Sequence, residues 1–186
     1  MTMIIGITGT PGTGKTSASA LIGGVLDLNE LIKTEGLYLG IDEERDSLIA
    51  DMDAVYDRVC GIARERGGDL VIEGHLSHHV SDSAIVLRLA PDELERRLMA
   101  RGYSGTKIHE NALAEAVDVI LVEAVDWCER VYEVDTTGKT VEAVADAILE
   151  ILDAIDRGIE IDVYEPGSVD WLDSEASCLV NFDYGR

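Results

Sequence analysis

The apolar run Met3-Ile4-Ile5-Gly6-Ile7-Thr8 leads straight into Gly9-Thr10-Pro11-Gly12-Thr13-Gly14-Lys15-Thr16. This octet satisfies G-x-x-x-x-G-K-[ST], a pattern that works only where a buried strand delivers it and a helix starts on it, here at Gly14 or Lys15. The glycines let the backbone curl so that several N–H groups converge on phosphate oxygens, reinforced by the positive end of the helix dipole. In that arrangement Gly12, Thr13 and Gly14 form the cradle and Lys15 reaches the β- and γ-phosphates. Thr16 offers its hydroxyl to Mg²⁺, and Ser17 adds a contact to the α-phosphate. A plain strand-to-helix turn needs neither Lys15 nor Thr16. The motif predicts ATP or a similar triphosphate as ligand and is silent about the reaction, since kinases, ATPases and switches all use it.

The rest of the chain fits a fold that can present such a loop. Apolar runs at 3–8, 70–73, 85–89 and 131–136, with a weaker one at 25–28, end in polar residues. Their near-continuous apolar character suits parallel strands covered on both faces. Helical spacing links Met52, Val55, Val59 and Ile62, then Ala116, Val119, Ile120 and Ala124, then Val141, Val144, Ala145, Ile148 and Leu152. Strands alternating with helices predict a doubly wound α/β domain with its ligand site at the carboxyl ends of the strands. Gly23-Gly24 ends the first helix after about two turns. A domain over residues 1–157 is followed by a tail, 158–186, with seven acidic residues and one basic. Pro166-Gly167 favours a loose appendage, whereas Trp171, Leu172, Leu179 and Phe182 could dock it.

Charge narrows the partners. The 186 residues hold 37 Asp and Glu against 15 Lys and Arg, a net charge of −22, and only four of the basic residues are Lys. This acidity resembles that of cytosolic proteins from salt-loving archaea, and it opposes nucleic-acid binding, which depends on neutralising phosphates with basic side chains. Cys60, Cys128 and Cys178 are odd in number and far apart, so neither a disulfide framework nor a C-x-x-C metal site is indicated. No run approaches ~18 uninterrupted apolar residues, and no basic leader precedes an apolar run. The expected location is cytoplasmic.

A second candidate site lies at Leu70-Val71-Ile72-Glu73-Gly74-His75, where Glu73 ends a strand as a carboxylate able to hold Mg²⁺ or its water. His75 could position an acceptor or a water, or take a proton near neutral pH. His78 and His79 hint at a metal cluster, but no Cys or second carboxylate stands at ligand spacing, and they read as loop residues. Farther on, a helix through Asp92-Glu93-Leu94-Glu95-Arg96-Arg97-Leu98 ends in a basic, Gly-containing loop and restarts at about Ile108. Arg101 and Lys107 on that loop could close over transferring phosphates as a lid.

Taken in order, "GTPGTGKTS", "VIEGH", "RGYSGTKIHEN" and "VDTTGKT" resemble the atypical adenylate kinase family over about the first 155 residues. That family comprises archaeal proteins and the eukaryotic nuclear isoenzyme six, also called coilin-interacting nuclear ATPase. The resemblance implies a P-loop NTPase of the nucleoside-monophosphate-kinase type, with three layers, a five-stranded parallel sheet, a nucleoside-monophosphate (NMP) segment and a short lid near 100–110. It implies adenylate kinase activity, ATP plus AMP to two ADP, together with ATPase activity and Mg²⁺. It also implies a role in maturing the small ribosomal subunit, with a basic ribosomal protein of the S11 type as partner. Gly12, Gly14, Lys15, Thr16 and Ser17 match the family's ATP loop, Arg101 its lid arginine, and Glu73 with His75 its acidic-x-His motif. Residues 27–50 correspond to the NMP segment, with Arg45 a phosphate-binding candidate. Glu73 stands where the family often has Asp, and the helix after the loop is short. Three functions stay open: a kinase acting on AMP, an ATPase in which His75 orients water, and a small-molecule kinase of other specificity.

Overall fold

The computed structural model of the chain describes residues 2–43 and 47–172. Five strands form one parallel sheet: β1 (Ile4–Thr8), β2 (Leu26–Asp27), β5 (Leu70–Glu73), β6 (Ser83–Arg88) and β7 (Arg130–Asp135), in the spatial order β2-β5-β1-β6-β7. β1 lies at the centre, buried along its whole length, so the loop that follows it emerges in the middle of the sheet.

Alternate side chains of the strands feed two cores. Ile5, Ile7, Ile85, Leu87 and Val134 pack against α1 (Lys15–Ile22) and α7 (Val141–Arg157). On the other face, Ile4, Leu70 and Ile72 meet α2 (Leu28–Glu35) and α3 (Met52–Arg66), while Ala84 and Val86 meet α6 (Val119–Trp127). The result is the three-layer α/β architecture of the P-loop, nucleoside-monophosphate-kinase type. Two further helices, α4 (Pro91–Ala100) and α5 (Gly105–Ala116), close the end of the sheet from which the loop emerges, burying Leu89, Leu94, Leu98 and Ile108 together.

Local chemistry sets the helix ends. Asp27, Asp51, Ser104 and Thr140 accept N–H bonds at the starts of α2, α3, α5 and α7. α1 has Gly14 there instead, in a left-handed conformation with no side-chain cap, which leaves its first N–H groups for something else. Gly23 ends α1 after eight residues, as the Gly pair indicated.

Three local features depart from the pattern in the sequence. The helical spacing through Ala116 and Val119 is interrupted at Asp118, which takes φ 58° and pairs with Arg88. Helix α5 restarts at Gly105 because Ser104 caps it, one turn earlier than the Ile108 expected, leaving only 101–104 as a connection. Within residues 27–50, the stretch that the resemblance assigns to NMP binding, an antiparallel hairpin forms, β3 (Tyr38–Asp42) with β4 (Ser47–Ala50), separate from the main sheet. Arg45 lies outside the described residues, as do Cys178, Leu179 and Phe182.

The tail lies against the body as far as it is described. Ser168 and Val169 donate to Glu133, and the Trp171 indole donates to Glu115 at 3.4 Å. Leu172 is exposed. Among the described residues, no helix is long and apolar enough to cross a membrane.

Candidate active site

The loop at residues 9–16 can take its shape only with glycine. Gly9 has φ 134°, and a Cβ there would fall 2.4 Å from the Leu87 carbonyl oxygen; Gly12 has φ 106°, and its Cβ would meet Leu94 at 2.7 Å. The two threonines of the loop, Thr10 and Thr13, are committed inward. Thr13 donates its hydroxyl to the Thr10 carbonyl at 3.0 Å and braces the loop without facing the cleft. Thr10 donates to Glu115 at 2.5 Å, and Glu115 is held by buried Arg88, which also pairs with Glu133. Arg97 reaches the Gly12 carbonyl from α4.

Lys15 folds back over this loop, donating to the Gly9 carbonyl at 2.7 Å and the Thr10 carbonyl at 3.1 Å, and is only 7% exposed. Burial pushes its pKa down to about 8, with nearby Glu73 and Glu115 acting in the opposite direction. A cation held under such tension gains from an anion placed beside it.

A cleft of about 330 Å³ opens above the loop. Gly12, Gly14, Lys15, Thr16 and Ser17 line one side, and Glu73 and His75 line the end of β5. Arg101 lines it from the C-terminus of α4. Lys107 does not: it sits in the first turn of α5, its ammonium 5.9 Å from the Tyr103 ring centroid. The early cap at Ser104 carries it there. Two further lining residues escaped sequence reasoning. Asn29 enters from the first turn of α2 and Tyr103 from the short connection. The signal for Asn29 was a polar residue two positions after a strand-ending, helix-capping Asp27; for Tyr103 it was an aromatic between Arg101 and the Ser104 cap.

Glu73 is 3% exposed, and its Oε2 is buried without a hydrogen-bond partner. Burial raises its pKa, and the neighbouring Asp27 charge adds to this, while Thr16 and Lys15 oppose it. A buried carboxylate oxygen with no donor, on a side chain that the Thr16 hydroxyl also hydrogen-bonds, belongs to the oxygen-rich, hard donor set that suits Mg²⁺. The residues present fit that ion. His75 is pushed down to about 4, first by burial and then by the Lys15 charge, so at neutral pH it is an uncharged imidazole. As such it is a poor proton acceptor and a good hydrogen-bonding group, which favours positioning over general-base work.

Comparison with known proteins bears on the family and the fold. Residues 5–118 match a family described as an AAA domain. A protein of Methanosarcina mazei named "Putative adenylate kinase" is 48% identical, the match covering 92% of this chain and 99% of that one. A Halobacterium salinarum protein of the same name is 46% identical over the same shares. Among solved structures, shikimate kinase from Acinetobacter baumannii in complex with shikimate superposes with a TM-score of 0.56 at 12% identity, covering 83% of this chain and 95% of that one. At that identity the likeness concerns the fold alone. The identities to the archaeal proteins, across nearly their full lengths, carry more: the chain belongs to their family, and its residues 5–118 to the AAA-domain family.

Proposed function

We propose that the protein is an adenylate kinase that transfers the γ-phosphoryl group of Mg-ATP to AMP, giving two ADP. The observation that carries this reading is that one cleft is lined by the loop, Arg101, Glu73 and His75 and also by Asn29, from the segment that the resemblance assigns to the acceptor. A donor phosphate and an acceptor phosphate can meet there. The names of the archaeal relatives support the same choice of acceptor.

In this reading the N–H groups of residues 12–17 hold the donor's phosphates, and Lys15 leaves the Gly9 and Thr10 carbonyls for the β- and γ-phosphates. The donor's base lies beyond Gly14, beside Arg97, Thr136 and Lys139. Thr16 and Glu73 would hold the Mg²⁺, which would supply neutralisation of the charge that develops on the phosphates during transfer. An AMP phosphate oxygen attacks the γ-phosphorus in line, and the bond to the β–γ bridging oxygen breaks to release ADP. Arg101 faces the charge spread over the transferring group, and Tyr103 helps exclude water. The attacking oxygen is already anionic, so no base is required, and neutral His75 orients it.

The same neutral His75 supports a second reading, in which it orients water and the protein hydrolyses ATP. A ribosome-assembly role with a basic S11-type partner rests on the family resemblance and on the net charge of −22, which favours a cationic polypeptide over bare RNA. ATP labelled at the γ-position separates the readings. With AMP present the label is expected in ADP, and without an acceptor little inorganic phosphate should form. Label in free phosphate at an equal rate with and without AMP would favour the ATPase.

A further inference from the structure

Behind the cleft, on the opposite side of the turn that carries His75, a second group of side chains converges. His78 and His79 lie on a 3₁₀ turn, Ser77–Val80, and Glu123 reaches them from the middle of α6. Ligand atoms of all three lie within 4.8 Å of one another. The turn sits close against β1 because Gly6 leaves room: a Cβ there would strike Ser81 at 2.5 Å.

We infer that His78, His79 and Glu123 form a binding site for a zinc-class divalent ion, distinct from the Mg²⁺ site of the nucleotide cleft. The geometry of the cluster supports it. The Thr8 hydroxyl lies 2.9 Å from His78 Nδ1 and 3.3 Å from the His75 carbonyl. On the other edge of the ring, His78 Nε2 lies 3.2 Å from a Glu123 carboxylate oxygen. That nitrogen and that carboxylate face each other, so an ion that displaces the hydrogen between them is held by both. His78 is 1% exposed and Glu123 half-exposed, which leaves the ion a way in from the α6 side.

The outer contacts match what metal-binding histidines use. Thr8 orients His78 through its second nitrogen, and Cys128 donates to the His78 carbonyl at 3.3 Å, fixing the turn. Two imidazoles and a carboxylate suit Zn²⁺ or Co²⁺ over Mg²⁺, and three protein ligands leave one position for water. Because Thr8 also bonds the His75 carbonyl, an ion here would stiffen the turn that places His75 in the cleft.

The Trp127 ring meets His79 edge-on at 5.1 Å and supplies an optical reporter. The test is titration of the metal-stripped, full-length protein with Co²⁺ in excess Mg²⁺, which saturates the acidic surface and the cleft. The expected result is one equivalent of Co²⁺ with a visible ligand-field band of four-coordinate type, quenching of Trp127 fluorescence, and displacement by Zn²⁺. His79→Gln and Glu123→Gln, at partly exposed positions, should each weaken binding by at least ~10-fold with circular dichroism unchanged. Absence of a saturable band, or binding indifferent to both substitutions, would overturn the site and leave His78 and Glu123 as an ordinary hydrogen-bonded pair. No nucleotide enters the experiment, so its outcome is independent of the kinase reading.

Discussion

The phosphate loop and the NMP segment face one cleft but are built in opposite ways. In the loop, positive-φ glycines fit against Leu87 and Leu94, Thr10 and Thr13 are tied inward, and Lys15 is folded over the top. In the segment, α2 buries Leu28, Leu31 and Ile32, but the β3–β4 hairpin stands off the main sheet with Leu39 74% and Ile41 62% exposed. A region with so few buried contacts belongs to the low-stability end of a structure, whereas the loop shares the stability of the core. In the proposed reading the triphosphate would meet a backbone set in place beforehand, and the acceptor a segment whose hairpin is able to move.

The largest effect expected from this contrast is at Lys15. Lys15→Met should lower phosphoryl transfer on the order of 10²–10³-fold, the usual cost of losing one donor aimed at developing charge. Because the substitution removes a buried charge, thermal stability should hold or rise, as a melting curve would report. Activity within a few-fold of wild type would mean that the loop is not the donor site.

A glycine pair sharpens the comparison. Gly12→Ala forces both a strained φ and a contact with Leu94, and should cost ~1–3 kcal/mol in denaturant unfolding and weaken ATP binding. Gly40→Ala in the hairpin meets open space and should stay within ~0.5 kcal/mol. Equal costs would erase the distinction between a fitted loop and a loose hairpin.

The contrast also explains what the sequence made legible. The loop is a contiguous backbone device, so the spacing of Gly9, Gly14, Lys15 and Thr16 announced it, and the apolar runs of β1 and β5 framed it. α3 and α7 were readable because one long face of each is buried. The hairpin was not, since Gly40-Ile41-Asp42-Glu43 follows no burial pattern when neither face is covered. The break at Asp118 coincides with an ion pair to Arg88, thirty positions away and buried only on the arginine side, which no local pattern encodes. Glu123 beside His78 is hidden for the same reason: His78 and His79 looked isolated until α6 brought a carboxylate to them.

On the acceptor side, Asn29→Ala should raise KM for AMP about 3–10-fold, the range of one lost hydrogen bond, while leaving ATP affinity unchanged. Steady-state kinetics with each nucleotide varied would check the split; a matching loss for ATP would place Asn29 on the donor side.

The smallest effect concerns the whole surface. With −22 net charge, self-repulsion opposes compaction, and the Debye length falls from ~10 Å at 0.1 M to ~3 Å at 1 M salt. The melting midpoint should therefore climb by a few degrees between 0.1 and 2 M KCl, and the AMP KM, governed by the exposed segment, should shift more than the affinity for ATP. A flat midpoint would show that the acidic surface does not limit stability.

The central claim is that donor and acceptor phosphates meet across one cleft. It is tested most directly with a bisubstrate dinucleotide, two adenosines joined by five phosphates, titrated calorimetrically into the Mg²⁺-loaded protein. The account predicts one molecule bound per chain, ~10²-fold or more tighter than ATP, with AMP excluded once it is bound. Binding no tighter than ATP, with AMP still admitted, would contradict it.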